Sequence, residues 1–144
     1  MGTARGGFDS GEPAVAIFAA DDPLAWTYAG LFAVGDHPDE VHEHHADIWE
    51  CPQLIVGSGA DSDAALLILS LQHEGRLGDV IGVAGRLEDV DGVPRFAARQ
   101  TRRIDLGNAF YAPQVALDPA GGDALMFGWC DKATCPRPPA SPDA

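Results

Sequence analysis

Glu50 is the residue of this chain best placed to handle a proton. It stands between Trp49 and the pair Cys51-Pro52, at the head of an apolar run containing Leu54, Ile55 and Val56. A carboxyl group at the start of a buried strand loses part of its hydration, and desolvation or a nearby negative charge favours the neutral form. Such a group can give up a proton as general acid and retake one as general base. A lone Glu at a strand edge is otherwise an ordinary surface residue, so wider context has to decide. A second concentration of chemistry is the stretch Asp36-His37-Pro38-Asp39-Glu40-Val41-His42-Glu43-His44-His45-Ala46-Asp47. Imidazole and carboxylate are both good ligands for divalent metals. The order His42-Glu43-His44-His45 nevertheless lacks the i, i+4 histidine pair around a Glu that a helical zinc site presents. We read it as a solvated loop just ahead of Glu50, and expect no metal. Three cysteines, Cys51, Cys130 and Cys135, make an odd count with no second pair to complete a zinc site, and the simplest expectation is free thiols.

The elements that must position Glu50 read as strands. Short apolar segments alternate with clusters of Gly, Asp, Ser and Pro, and the chain holds 17 Gly and 11 Pro, which is the texture of all-β structure. Candidate strands cover residues 14–20, 26–34, 48–56, 65–71, 80–87, 94–104, 110–117 and 123–129. The pair Asp91-Gly92 predicts a tight hairpin, because both residues tolerate positive φ. The run Ala64 to Leu69 is helical by propensity alone, but it is short and flanked by glycines, which suits a buried strand. Residues 1–10 and 131–144 are Gly-rich or Pro-rich, with few large apolar side chains to offset ordering entropy, and are expected to be disordered tails. Residues 11–130 then form one all-β domain. Eight strands at four per blade make about two blades of antiparallel four-stranded sheet, with residues 48–104 as one complete blade and half a blade on either side. Open blade faces predict association or docking.

Charge narrows the function. With 22 acidic and 9 basic residues the formal net charge is −13, which repels phosphate backbones and anionic headgroups, so neither nucleic acid nor a membrane surface is an expected partner. No apolar run reaches the ~18 residues of a spanning helix and no apolar stretch follows the N-terminus. The expected location is therefore the cytoplasm.

Three segments supply the wider context. The first is Trp49-Glu50-Cys51-Pro52-Gln53-Leu54. The second runs from Asp105-Leu106-Gly107 through Phe110-Tyr111-Ala112-Pro113-Gln114 to Gly128-Trp129. The third and weaker is Asp21-Asp22-Pro23-Leu24-Ala25-Trp26. In this order they resemble the middle of the β-fructofuranosidases, the invertase, levanase and inulinase family (glycoside hydrolase family 32), over roughly residues 11–130. The resemblance implies a partial five-bladed β-propeller with Glu50 as acid/base, Cys51 as the cysteine that tunes it, and Trp49, Cys51, Tyr111 and Trp129 near a fructosyl saccharide, without cofactor. The aromatic residues Phe110, Tyr111 and Trp129 also suit plain core filling between blades. Ala109 departs from the Asp usual in the family just before Phe110.

The family's mechanism needs two carboxyl groups across the glycosidic bond, about 5–5.5 Å apart in retaining enzymes. Its nucleophile lies in an Asn-Asp-Pro segment and its transition-state Asp in an Arg-Asp-Pro segment, and neither tripeptide occurs here. The expectation is a β-fructofuranosidase-like fragment that is inactive alone and is completed by a complementary polypeptide. The alternative is a non-catalytic module that binds carbohydrate or a protein, and a metal-binding module built on His37, His42, His44 and His45 is a third reading.

Overall fold

The computed structural model describes residues 2–4, 13–32, 46–57, 62–105, 107, 109–118 and 123–130. They form nine strands in three antiparallel sheets, an all-β arrangement in which successive sheets stack as blades of a partial propeller. The first sheet is β1 (Gly2–Ala4), β2 (Ala14–Asp22) and β3 (Ala25–Phe32). The second is an up-and-down meander of β4 (Ile48–Val56), β5 (Ala64–His73), β6 (Arg76–Val90) and β7 (Val93–Arg103). The third pairs β8 (Phe110–Leu117) with β9 (Ala124–Cys130).

The central sheet is the complete blade expected over residues 48–104, and its order follows from its turns. Asp91 and Gly92 have φ of 55° and 80°, the double left-handed turn whose twist matches that of flanking strands. Glu74 and Gly75, at 48° and 74°, close the β5–β6 hairpin in the same way. This second turn lets β5 and β6 run on to His73 and Arg76, beyond the limits of 71 and 80 expected from the sequence.

Strand β5 is buried on both faces, which explains its uninterrupted apolar sequence. Leu67, Leu69 and Leu71 join Trp49, Ile81, Val83, Phe96 and Ala98 in a cluster that includes Val15 of β2 and Phe32 of β3. Ile68 on the other face joins Val80 and Tyr111 of β8. The period of two along a strand therefore glues the central sheet to a neighbour on each side. Each fully buried Leu, Ile or Phe contributes about 1.5–3 kcal/mol, so apolar packing rather than polar bonding supplies most of the adhesion.

Two expectations need correction. Residues 2–4, assigned to a disordered tail, form a strand paired with β2 through Gly2↔Ala16, Thr3↔Val15 and Ala4↔Ala14. Backbone pairing to a free sheet edge requires no apolar side chains, so composition does not register it. Cys130, expected as a free thiol, is disulfide-bonded, whereas Cys51 is free and exposed. The rest of the segment 1–10 that precedes the described residues, the stretch 131–144, and residues 36–45 with all four clustered histidines lie outside the described residues. Among the described residues no group of three His, Cys, Asp or Glu side chains is arranged to hold a metal ion. Among the described residues no helix is long and apolar enough to cross a membrane.

Candidate active site

Strands β4 and β8 carry the same interruption. On β4 the register passes from Glu50↔Ser70 to Gln53↔Ile68, so Cys51 and Pro52 together face the single residue Leu69. On β8 it passes from Tyr111↔Trp129 to Gln114↔Phe127, so Ala112 and Pro113 together face Gly128. Each is a β-bulge, one of the few places in a sheet where proline is admitted. The residue before each proline, Cys51 or Ala112, sits at φ 49°, a left-handed conformation that bulges usually give to glycine. For a residue with a Cβ it costs about 1–2 kcal/mol.

The bulge decides which side chains meet. In an unbroken strand Glu50 and Gln53, three residues apart, would lie on opposite faces. With one residue added they share the face of their partners Ser70 and Ile68, which is the face turned to β8. Gln53 then reaches the edge of β8 and grips one residue of its backbone. Its Nε2 donates to the carbonyl of Val115 at 2.8 Å, and its Oε1 accepts from the Val115 N–H at 2.6 Å. A side-chain amide thus makes the two bonds that a strand would have made, across a gap between sheets. Nearby, the Ala112 N–H donates to the Oγ of Ser70 at 3.1 Å. Ser70 itself is fully buried, and this bond answers the demand that a buried hydroxyl be partnered.

Between these two stitches the phenol of Tyr111 meets the carboxyl of Glu50, with Oη 2.6 Å from Oε2. The same Oη lies 3.0 Å from the carbonyl oxygen of Leu71. Burial, followed by the hydrogen bond to Glu50 and the charges of Glu50 and Cys51, raises the Tyr111 pKa well above its ordinary value of 10.0. The phenol therefore keeps its proton and acts as a donor. The Cys51 thiol is also pushed up, first by partial burial of its sulfur and then by the Glu50 carboxylate, so the neutral thiol is favoured beside the carboxyl group.

The structure brings together three of the residues singled out from sequence, Glu50, Cys51 and Tyr111. It sets Trp49 apart. Trp49, read as a substrate contact, is 4% exposed and packs with Leu69, Leu71 and Phe32 on the opposite face of the sheet, where its ring cannot stack on a sugar. Tyr111 is buried as well, its ring against Ile68 and Val80, so only its hydroxyl serves the site. Trp129, the cross-strand partner of Tyr111, is 78% exposed and presents a free aromatic face. Sequence reasoning missed Gln53, Ser70 and the Leu71 carbonyl. A signal for the first existed in the Pro-Gln pair repeated at residues 52–53 and 113–114.

Comparison with known proteins identifies the family. Residues 4–140 match the N-terminal domain of glycosyl hydrolases family 32. The chain belongs to that family. Among solved structures it is similar to a glycoside hydrolase family 32 protein from Bifidobacterium adolescentis, with 27% identity and a TM-score of 0.59. That match covers 82% of this chain and 19% of the other, so the chain spans about a fifth of its solved relative. No curated protein sequence matches it. Family 32 membership fixes the reading of the three sheets as part of a β-propeller, with β4 and β8 as the leading strands of consecutive blades.

Proposed function

We propose that this chain supplies the proton-handling half of a retaining β-fructosidase site acting on terminal fructosyl bonds of sucrose or a fructan. Glu50 protonates the leaving-group oxygen and then, as carboxylate, activates the water that releases the fructosyl group. The observation that carries this reading is the short Tyr111 Oη to Glu50 Oε2 bond. It fixes the carboxyl group on a bulge of an edge strand, within a chain of family 32. Cys51 keeps a neutral neighbour beside the carboxyl group, and Trp129 offers its indole to the sugar ring. No metal or organic cofactor takes part.

The nucleophile and the transition-state Asp come from polypeptide outside these 144 residues, since neither Asn-Asp-Pro nor Arg-Asp-Pro occurs in them. Strand β9, whose Leu125 and Phe127 are exposed, is the surface such a polypeptide would pair with. The chain alone then lacks the covalent route and hydrolyses neither sucrose, levan nor inulin. Mixing it with a polypeptide carrying both tripeptides is expected to give fructosidase activity that Glu50→Gln removes. Turnover by the chain alone, or activity of the pair that survives Glu50→Gln, would refute the assignment.

A further inference from the structure

We infer that the Tyr111 hydroxyl is a two-position proton rotor that keeps Glu50 hydrogen-bonded in both its charged and its neutral form. A phenol has one proton to donate and a lone pair with which to accept. Here Oη faces two acceptors at once, Glu50 Oε2 at 2.6 Å and the Leu71 carbonyl oxygen at 3.0 Å, and it cannot serve both fully. Which one it serves depends on Glu50. When Glu50 is ionised, both its oxygens only accept, and the phenol proton points to Oε2. When Glu50 is protonated on Oε2, that oxygen becomes a donor to Oη, and the phenol proton turns to Leu71. The result is a chain from the Glu50 O–H through the Tyr111 O–H to the Leu71 carbonyl. One proton arrives on Glu50, Tyr111 keeps its own, and only the hydroxyl hydrogen turns about the Cζ–Oη bond.

The second acceptor is what lets the proton sit on Oε2, since without it two O–H groups would point at each other in a partly buried place. Its availability has a visible cause. Leu71 has no register partner in β6, where the ladder jumps from Ser70↔Val80 to Gln72↔Leu77. The groups around Oη support the assignment. Glu50 and Cys51 on β4 are the titratable neighbours that act on Tyr111, while Ser70 and Leu71 of β5 offer only neutral oxygens. A residue that must act as acid and then as base changes protonation twice per turnover, and this arrangement holds its carboxyl group in one place throughout. That use rests on the reading of Glu50 as acid/base, whereas the rotor itself does not.

The experiment is a pH titration of the 144-residue chain carrying carbon-13 at Glu Cδ, Tyr Cζ and the Leu carbonyl, followed by NMR. The expected result is that Glu50 Cδ, Tyr111 Cζ and the Leu71 carbonyl shift together with one common midpoint. In Tyr111→Phe the Leu71 step disappears while Glu50 still titrates. In Glu50→Gln, which cannot change charge, the Leu71 and Tyr111 signals stay flat across that range. A Leu71 carbonyl that does not move as Glu50 titrates in the parent chain overturns the rotor, whether or not the variants fold. Because no turnover is measured, that failure is separate from a failure of Glu50 in the reconstituted enzyme.

Discussion

The bulges of β4 and β8 use one backbone device for opposite purposes. Both place a non-glycine residue at φ 49° ahead of a proline, and both set two residues against one. On β4 the device turns the carboxyl of Glu50 and the amide of Gln53 toward the neighbouring sheet. On β8 it sets the phenol of Tyr111 against the carboxyl and the Val115 backbone against the amide. What lies behind each bulge differs. The β4 bulge faces Leu69, fully buried within a four-stranded sheet packed on both faces. The β8 bulge faces Gly128 in a two-stranded sheet whose second strand is exposed along its whole length. The carboxyl group is thus mounted on the four-stranded, buried sheet, and the phenol that bonds it comes from the lighter one. Side-chain stitches from Gln53 and Ser70 bring the lighter blade into register.

Removing what stands opposite each bulge breaks the comparison most severely. Leu69→Ala leaves a cavity in the main core and is expected to cost about 2–5 kcal/mol. Gly128→Ala acts in the opposite sense, by overfilling. A Cβ there would sit 2.7 Å and 2.9 Å from the Phe110 ring and 2.9 Å from the Tyr111 carbonyl oxygen, for an expected cost of about 1–3 kcal/mol. Denaturant unfolding of the two variants measures both, and a Gly128→Ala variant as stable as the parent would mean that the β8 bulge is not tightly built.

The two glutamines that follow the bulges sharpen the contrast. Gln53→Ala removes two bonds and leaves the Val115 N–H and carbonyl without partners in a partly buried place, an expected loss of about 1–3 kcal/mol. Gln114 donates only to the adjacent Pro113 carbonyl, at 3.0 Å, and is exposed, so Gln114→Ala should stay within about 0.5 kcal/mol of the parent. Equal losses in the same unfolding assay would remove the functional asymmetry between the bulges.

The smallest effect appears only in alkali. Tyr111 has a higher pKa folded than unfolded, so its contribution to stability is complete below about pH 10, the unfolded value. Above that pH the unfolded state binds fewer protons than the native state, and stability falls with rising pH until the folded phenol ionises. Cys51 is raised from 9.0 with the same sign, so the comparison belongs in a Cys51→Ser background. In that background, stability measured between about pH 9 and 12 should fall less steeply for Tyr111→Phe than for the parent. Parallel curves would mean that the phenol is not held by Glu50.

Much of this was legible in sequence. The limits of β4 and β8 coincide with the expected strands 48–56 and 110–117, because each is an apolar run bounded by turn residues. The Asp91-Gly92 hairpin followed from the conformations its residues tolerate. Trp49 is buried on the face opposite Glu50, where strand alternation alone sets it; its reading as a substrate contact came from the motif and not from the period. Gln53 was hidden for the converse reason, since the period of two places it with Trp49 until the extra residue of the bulge is counted. Strand β1 was hidden because it is made of backbone pairing, and the disulfide at Cys130 because an odd cysteine count does not say which thiol is left over.

The most direct test of Glu50 as acid/base is the leaving-group dependence of Glu50→Ala in the chain reconstituted with a polypeptide supplying the second carboxylate. A sugar leaving group needs a proton and fluoride does not. Relative to the parent pair, kcat/KM on sucrose should fall by about 10²–10⁴-fold, while kcat on fructosyl fluoride for the step that expels the leaving group stays within about tenfold. Equal losses on both substrates, or no loss on sucrose, would contradict the assignment and leave Glu50 as a carboxylate that merely anchors Tyr111.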